Sequence, residues 1–324
     1  MRLGGAAHAF VKVTTKDELV EAIDWAETHQ LPILVLGGGS NVIFSDGYEG
    51  LVILNQLKGF EVLHADAASA TLHIAAGENW DETVARTTEM GLTGIEALSA
   101  IPGTAGATPV QNVGAYGQEI ATTLVELEAY DLQTHTFVTI PKANCGFSYR
   151  NSKFKATKNR RYIITSITLT LQKANPEPPF YESLQRYLEE HHITTFTPQS
   201  IREAVIAVRA RRLPDPSIVA NTGSFFKNPI ISREEFTPIY AEHPDIAHWD
   251  MPDEKVKLAA GWLIEHAGLK GYTNHGMRFF EGNALVFVNE SATSYDDLAA
   301  FRQEVINKVQ QVFGITLEQE PELL

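Results

Sequence analysis

GIEALSAIPGTAGATPVQNVGAYGQEI, from Gly94 to Ile120, holds five glycines, two prolines and no lysine or arginine. It is too apolar for a disordered linker and too broken for a helix or a long strand. Glycine lacks a Cβ, so its N–H can approach a ligand closely and its backbone can take positive φ. The stretch reads as a wall laid against something flat, with the rest of the chain built to hold it. Glycine and proline density alone fits a tightly turned core loop equally well.

The chain has 324 residues, enough for two domains. With 44% apolar and 20% charged residues it is globular rather than disordered. No apolar run approaches the ~18 residues of a membrane span. The N-terminal MRLGGAAHAF lacks a secretory core, so a cytoplasmic location is expected. The single cysteine, Cys145, rules out an internal disulfide and a cysteine-rich metal site, and reads as a small buried apolar residue. A net charge of −14 argues against general nucleic-acid or anionic-membrane binding. It also gives weight to any local cluster of arginines.

Outward from the stretch, the first half alternates strands with few helices. Thr15 to Glu18 (TKDE) is a capping box, followed by Leu19, Ala22, Ile23 and Ala26 at helical spacing. Ile33 to Leu36 is a short buried strand between Pro32 and a glycine loop, Leu51 to Leu54 a second strand, and Ala70 to Ala75 a half-buried third. Asn79 caps a helix with Trp80 and Val84 that ends at Gly91. Leu124 to Leu132 and Phe137 to Ile140 pair, and Arg161 to Leu171 is a long β-branched strand. KANPEPP at Lys173 to Pro179 marks a boundary. Beyond it come a helical stripe at Ile201, Ala204, Val205 and Val208, a helix over Leu258 to Ala267, and a strand over Ala284 to Val288. A helix capped by Ser294 then turns Leu298, Phe301, Val305, Val309 and Val312 inward and closes at Gly314. Ile315 to Leu317 reads as a last short strand.

GGGSN at Gly37 to Asn41 follows a strand and can present N–H groups to a pyrophosphate. It is neither a P-loop nor a dinucleotide fingerprint, because no Gly-Lys-Ser/Thr follows and Val42 holds the third glycine position. Arg209, Arg211 and Arg212 end a helix, where they suit either the helix dipole or phosphate capture. Arg150 lies among aromatic and small residues, and Ser224 sits on a turn ahead of two phenylalanines. Glu318, Glu320 and Glu322 alternate near the C-terminus. His191 and His192 have no acidic or cysteine companions at ligand spacing, so no metal site is expected.

Taken together, these motifs resemble the UDP-N-acetylenolpyruvoylglucosamine reductase family. The resemblance covers nearly the whole chain and rests on Arg2 to Ala7, LGGGSN at Leu36 to Asn41, and IPGTAGATPVQNVGAYG at Ile101 to Gly117. SYRNS at Ser148 to Ser152, GSFFKNP at Gly223 to Pro229, and FGITLEQE at Phe313 to Glu320 complete it. It implies an α+β chain with a vanillyl-alcohol-oxidase-like (PCMH-type) FAD-binding fold in two subdomains and a C-terminal α+β substrate-binding domain. The expected division is 1–172 for FAD and 173–312 for substrate, with 313–324 a candidate to return to the FAD side.

The resemblance further implies FAD as cofactor, NADPH as electron donor and UDP-N-acetylglucosamine-enolpyruvate as substrate, in peptidoglycan precursor synthesis by a monomer. Arg150, Ser224 and Glu320 match the catalytic positions, with Glu322 the competing carboxylate. Gly37, Gly38, Gly39, Ser40, Asn41, Pro102, Gly103, Thr104, Gly106, Ala107, Pro109, Gln111, Asn112, Gly114, Ala115, Tyr116 and Gly117 match the cofactor wall. Tyr116, Tyr181, Arg212, Lys227, Asn228 and Asn283 match the substrate contacts, Tyr181 through the closing loop of the family's longer form. Two other readings stand beside this one: a different FAD-dependent oxidase of the same fold, and a non-catalytic flavin-binding module.

Overall fold

The computed structural model describes residues 1–155 and 161–324 and divides them into two compact units. The first unit comprises Ala7–Gly39 and Glu49–Arg209; the second comprises Met1–Ala6, Ser40–Tyr48 and Ala210–Leu324.

In the first unit the strands Ala7–Val13, Tyr48–Asn55 and Ile33–Leu36 lie side by side in that order. The last two run parallel, with Ile33 opposite Leu51. The helix Lys16–Thr28 starts where the sequence says it must. Thr15 Oγ1 accepts from Glu18 N at 3.1 Å, and Glu18 Oε2 accepts from Thr15 N at 3.2 Å. Its apolar stripe, Leu19, Ala22, Ile23 and Ala26, packs on Val13, Leu51 and Ile53.

A five-stranded antiparallel sheet follows. Its order is Thr136–Pro141, Leu124–Asp131, Tyr162–Gln172, Ser69–Ala75 and Phe60–Ala65. Leu72, Ile74, Ile167 and Leu169 form a core with Trp80 and Val84 of the helix Trp80–Glu89. The indole N–H of Trp80 donates to Leu98 O at 3.1 Å, tying that helix to the glycine-rich stretch. Packing continues past Lys173–Pro179. The helices Glu182–Glu190 and Pro198–Arg212 bury Leu184, Leu188, Ile201, Ala204 and Val205 around Ala97. The chain therefore changes unit at Arg209, inside a helix.

The second unit holds two three-stranded sheets, Ile230–Ser232, Lys255–Leu258 and His248–Met251, then Thr273–Asn274, Met277–Phe280 and Asn283–Asn289. Its core is aromatic. Phe225 stacks on Phe287 with centroids 4.0 Å apart, and Phe287 meets Phe301 edge-on at 4.8 Å. Phe301 belongs to the helix Tyr295–Phe313, which Ser294 caps and Gly314 closes at φ 71°.

Three expectations need correction here. Val312 is 45% exposed and Phe313 takes its inward place, because the stripe drifts by one position in the last turn. Ile315 to Leu317 is not a strand; pairing starts later, at Gln319 and at Glu322–Leu323, which runs parallel to Val42–Ile43. Leu258 to Ala267 is not one helix. Val256 and Leu258 are buried at strand spacing, the helix covers Ala260–Ile264, and a wider turn over Glu265–Leu269 ends the run, with Gly268 at φ 80°. No helix among the described residues is long and apolar enough to cross a membrane.

One ion pair in the first unit, with Asp131 enclosed and Arg161 partly open to solvent, sets a pH limit. Arg161 holds Asp131 bidentately, through Nε at 2.8 Å and Nη2 at 2.5 Å, and drives its carboxyl down to about 2. A depressed carboxyl stabilises the fold above its unfolded pKa of roughly 3.9, and that contribution disappears as pH falls through the folded value. Urea midpoints measured from pH 6 to pH 2 should show Asp131→Asn less stable than wild type at the upper end. The gap should close between about pH 4 and pH 2. A gap independent of pH would mean the pair does not titrate as described.

Candidate active site

The stretch from Gly94 to Ile120 is pinned at its ends by one buried carboxylate. Glu96 is 2% exposed and accepts from Gly94 N at 2.6 Å, Thr93 Oγ1 at 2.7 Å and Gln118 Nε2 at 2.9 Å. Gln118 Oε1 accepts from Ala97 N at 2.8 Å in return. Such full pairing is what a buried carboxylate requires. Asn112 pins the middle, accepting from Ala121 N at 3.1 Å and donating to Glu119 Oε2 at 3.1 Å and Ser148 O at 3.2 Å. Asn112 is 2% exposed, and its side chain makes structural bonds. Gly106 and Pro109 are buried as well, whereas Gly38, Gly39, Pro102 and Gly117 are exposed.

The loop Gly37–Gly39 presses against this stretch. A Cβ on Gly37 would lie 2.3 Å from Thr104 Oγ1, and one on Gly38 would lie 2.9 Å from Gly103 Cα. On the free side, Gly39 (φ 65°) and Gly117 (φ 86°) have nothing within 4 Å of where a Cβ would stand. Two glycine segments thus meet back to back, and each leaves bare backbone elsewhere. Ser40 and Asn41, next in the loop, belong to the second unit.

Arg150 also belongs to the first unit. Its Nη2 donates to Gly114 O at 2.7 Å, and its guanidinium lies 5.2 Å from the Tyr149 ring centroid. The neighbouring Ser152 donates to Val110 O at 2.6 Å, so the SYRNS turn is tied to the same stretch. Tyr116 meets Tyr181 edge-on at 5.7 Å.

The arginine cluster divides. Arg211 and Arg212 are exposed, while Arg209 bonds Tyr116 and has its Nε enclosed. Burial lowers the pKa of Arg209, against the pull of Tyr116 and Asp81. Asp81 is also paired with Arg202 and accepts from Ala100 N at 2.6 Å. Burial pushes the Asp81 carboxyl up, but Arg202, Ala100 and Arg209 together hold it below its ordinary value. Sequence reasoning missed Glu96, Asp81 and Arg202. Only the wide separation of Asp81 and Arg202 hid that pair, since both residue types favour bidentate contact.

In the second unit the structure brings Ser224 and Glu320 to adjoining segments. Ser224 bridges Val286, and Phe225 N donates to Leu285 O at 2.7 Å. On the other side Phe226 bridges Gln319, Glu320 N donates to Phe225 O at 2.9 Å, and Lys227 N donates to Glu318 O at 2.9 Å. GSFFKNP is therefore a central segment, held between the strand Asn283–Asn289 and the C-terminal residues. Gly223 turns into it at φ 72°, with its N–H on Asn221 Oδ1 at 2.8 Å.

Three expected substrate contacts carry structural bonds here. Lys227 pairs with Glu318, Asn228 Oδ1 accepts from Ala260 N at 3.0 Å, and Asn283 Oδ1 accepts from Leu285 N at 3.0 Å. The competing carboxylate, Glu322, lies in the parallel pair, with its N–H on Asn41 O at 3.0 Å. His191 and His192 are exposed, and His191 Nδ1 lies 2.9 Å from Tyr187 O, as expected of surface residues.

The back-to-back contact makes a sharp comparison. Gly38→Ala drives a methyl group into the Gly103 backbone and should cost about 1–3 kcal/mol more than an uncrowded change. Gly39→Ala meets open space and should cost only the left-handed penalty of about 1–2 kcal/mol. Thermal melts of the two variants check this, and equal losses would remove the crowding argument.

Comparison with known proteins assigns the chain. The FAD binding domain family matches residues 7–139, and the C-terminal domain family of UDP-N-acetylenolpyruvoylglucosamine reductase matches residues 215–324. The chain is 38% identical over 323 residues to the UDP-N-acetylenolpyruvoylglucosamine reductase of Ralstonia nicotianae, covering 99% of this chain and 94% of that protein. It is 41% identical over 313 residues to that of Cupriavidus pinatubonensis, covering 96% and 92%. The crystal structure of the Thermus caldophilus enzyme superposes with a TM-score of 0.65 at 23% identity, over 97% of this chain and 91% of that one, and so shares the fold. The chain belongs to the UDP-N-acetylenolpyruvoylglucosamine reductase family of FAD-dependent oxidoreductases.

Proposed function

We propose that this chain reduces the enolpyruvyl group of UDP-N-acetylglucosamine-enolpyruvate to give UDP-N-acetylmuramate, with NADPH as reductant, in peptidoglycan precursor synthesis. The kinship over the whole length favours this over an oxidase of the same fold or a non-catalytic flavin module. Working as a cytoplasmic monomer, free of nucleic acid and membrane, is part of the same proposal.

FAD fits the residues present. Gly37 and Gly38 pack on Thr104 and Gly103 with no space for side chains, and open backbone at Gly39 and Gly117 suits a pyrophosphate and a flat ring. When bound, FAD supplies the hydride chemistry, taking electrons from NADPH and passing them to the enolpyruvyl double bond. The remaining work falls to side chains. Addition at the β-carbon leaves negative charge on the α-carbon and carboxylate. Arg150, fixed on Gly114 O, would pair with that carboxylate as the charge develops. Ser224 would hand a proton to the α-carbon, with Glu320 supporting the same charge. Arg212 would hold the UDP diphosphate, a local cation on a chain of net charge −14. Tyr181 would close over the substrate beside Tyr116, and Lys227, Asn228 and Asn283 would line the sugar side.

The division of labour follows. The first unit would serve the cofactor, and the second would supply Ser224 and Glu320. The substrate region 173–312 would span both units, because 173–209 packs with the first. The C-terminal residues 313–324 stay within the second unit.

The observation that carries this reading is the pairing of the Ser224–Lys227 segment with Glu318–Glu320. It runs the two segments that carry Ser224 and Glu320 side by side, which supports reading them as parts of one site.

Separate half-reactions test it. Ser224→Ala should slow reoxidation of the reduced enzyme by the enolpyruvyl substrate by roughly 10²-fold or more, while NADPH still bleaches the flavin at its usual rate. Equal loss in both halves would remove Ser224 from the proton-transfer role. Arg212→Ala should raise KM for the UDP-sugar about tenfold with kcat little changed. An unaltered KM would return Arg212 to the helix-dipole role.

A further inference from the structure

The segment that carries Glu320 is gripped from the side by a residue outside the reaction scheme above. Arg302 stands on the helix Tyr295–Phe313, and its Nη1 donates to Gln319 Oε1 at 2.9 Å. Gln319 Nε2 donates in turn to Pro321 O at 2.7 Å. The backbone of Gln319 also bridges Phe226. Glu320 is thus straddled, because the residue before it and the carbonyl after it are fixed by one side-chain relay.

Backbone pairing holds one side of the segment: Lys227 N donates to Glu318 O and Glu320 N to Phe225 O, both at 2.9 Å. Pro321 has no N–H to give, so the Arg302–Gln319 relay supplies the support from the side chains. Arg302 holds this position at a cost. Its Nε is buried with no hydrogen-bond partner, and Nη1 makes one further, long bond to Tyr295 Oη at 3.4 Å.

We infer that Arg302 is a positioning residue for Glu320, acting through Gln319; the inference rests on reading Glu320 as the catalytic carboxylate. Arg302 forms no bond to the substrate. It fixes where the Glu320 carboxylate stands when charge develops on the α-carbon, a step sensitive to small misplacement.

The test uses the full-length, FAD-loaded protein and two readouts. Arg302→Met should slow reoxidation by the enolpyruvyl substrate about tenfold or more, with flavin bleaching by NADPH changed less than about twofold. Hydrogen exchange at the Glu320 amide, which bonds Phe225 O, should speed up in the same variant. Arg302→Lys can still donate to Gln319 Oε1 and should recover most of the rate. Gln319→Leu breaks the relay without touching the helix and should reproduce the Met variant, which keeps the inference testable if that variant folds poorly. Unchanged reoxidation in Arg302→Met and Gln319→Leu, or equal loss in both half-reactions, overturns the inference. Glu320→Gln separates the two levels. If it reoxidises normally, the reading of Glu320 fails and the inference with it; if it is slow while Arg302→Met is normal, the inference alone fails.

Discussion

The backbone of Gly38 runs against the backbone of Gly103 with no room for a side chain between them. Much of the first unit can be understood as what it takes to hold that contact. The strand Ile33–Leu36 delivers one loop, and its parallel neighbour Tyr48–Asn55 fixes the height at which it emerges. The other loop has almost no regular structure and would wander without Glu96 and Asn112. Those two side chains replace a ladder of backbone bonds with a few convergent ones, each made in a dry setting where an unpaired group would be expensive. The outcome is a wall that is irregular yet rigid, a combination that regular helices and strands do not offer.

The second unit solves a different problem. Ser224 must project from a turn while the chain on either side stays still. Phe225 and Phe226 achieve this by filling the core immediately after the serine, stacked and crossed with Phe287 and Phe301. The serine is therefore anchored by its successors in the chain. Glu320 gains its place from the opposite edge of the same segment, so both groups share one rigid floor.

How much of this could be read beforehand depended on whether a signal was local. The helix Lys16–Thr28 was legible because Thr15, Glu18 and the four apolar positions all lie within one short window. Ile33–Leu36 was legible at both ends because Pro32 and Gly37 punctuate it. The strand Phe60–Ala65 was not: it is a sheet edge, largely exposed, and its histidine and glutamate blur the alternation. Ala7–Val13 escaped for the same reason. The helix Arg233–Glu242 carries a capping box from Ser232 to Glu235 that was open to reading, but Pro238 argues against a helix. Within the site, the glycine wall announced itself through composition. Arg150, Ser224 and Glu320 stand out as candidates only through motif order, since each alone resembles an ordinary surface residue. Asp81 with Arg202, and Arg302 with Gln319, could not be seen at all, because a polar residue shows its partner only once the chain has folded.

The parallel pairing of Glu322–Leu323 with Val42–Ile43 has a consequence for biosynthesis. Ser45 N also donates to the Leu324 carbonyl at 2.9 Å, so the short strand at Val42–Ile43 and Ser45 after it take backbone partners from residues 322–324. During translation the first unit has all of its own residues once Arg209 has left the ribosome, and it can fold while the short strand Val42–Ile43 still waits for its partner. The second unit must wait for residues almost 280 positions further on, the 279 between Ser45 and Leu324 setting the scale. Assembly is therefore ordered in time, with the glycine-rich stretch complete before the segment after Gly223 has its C-terminal neighbour.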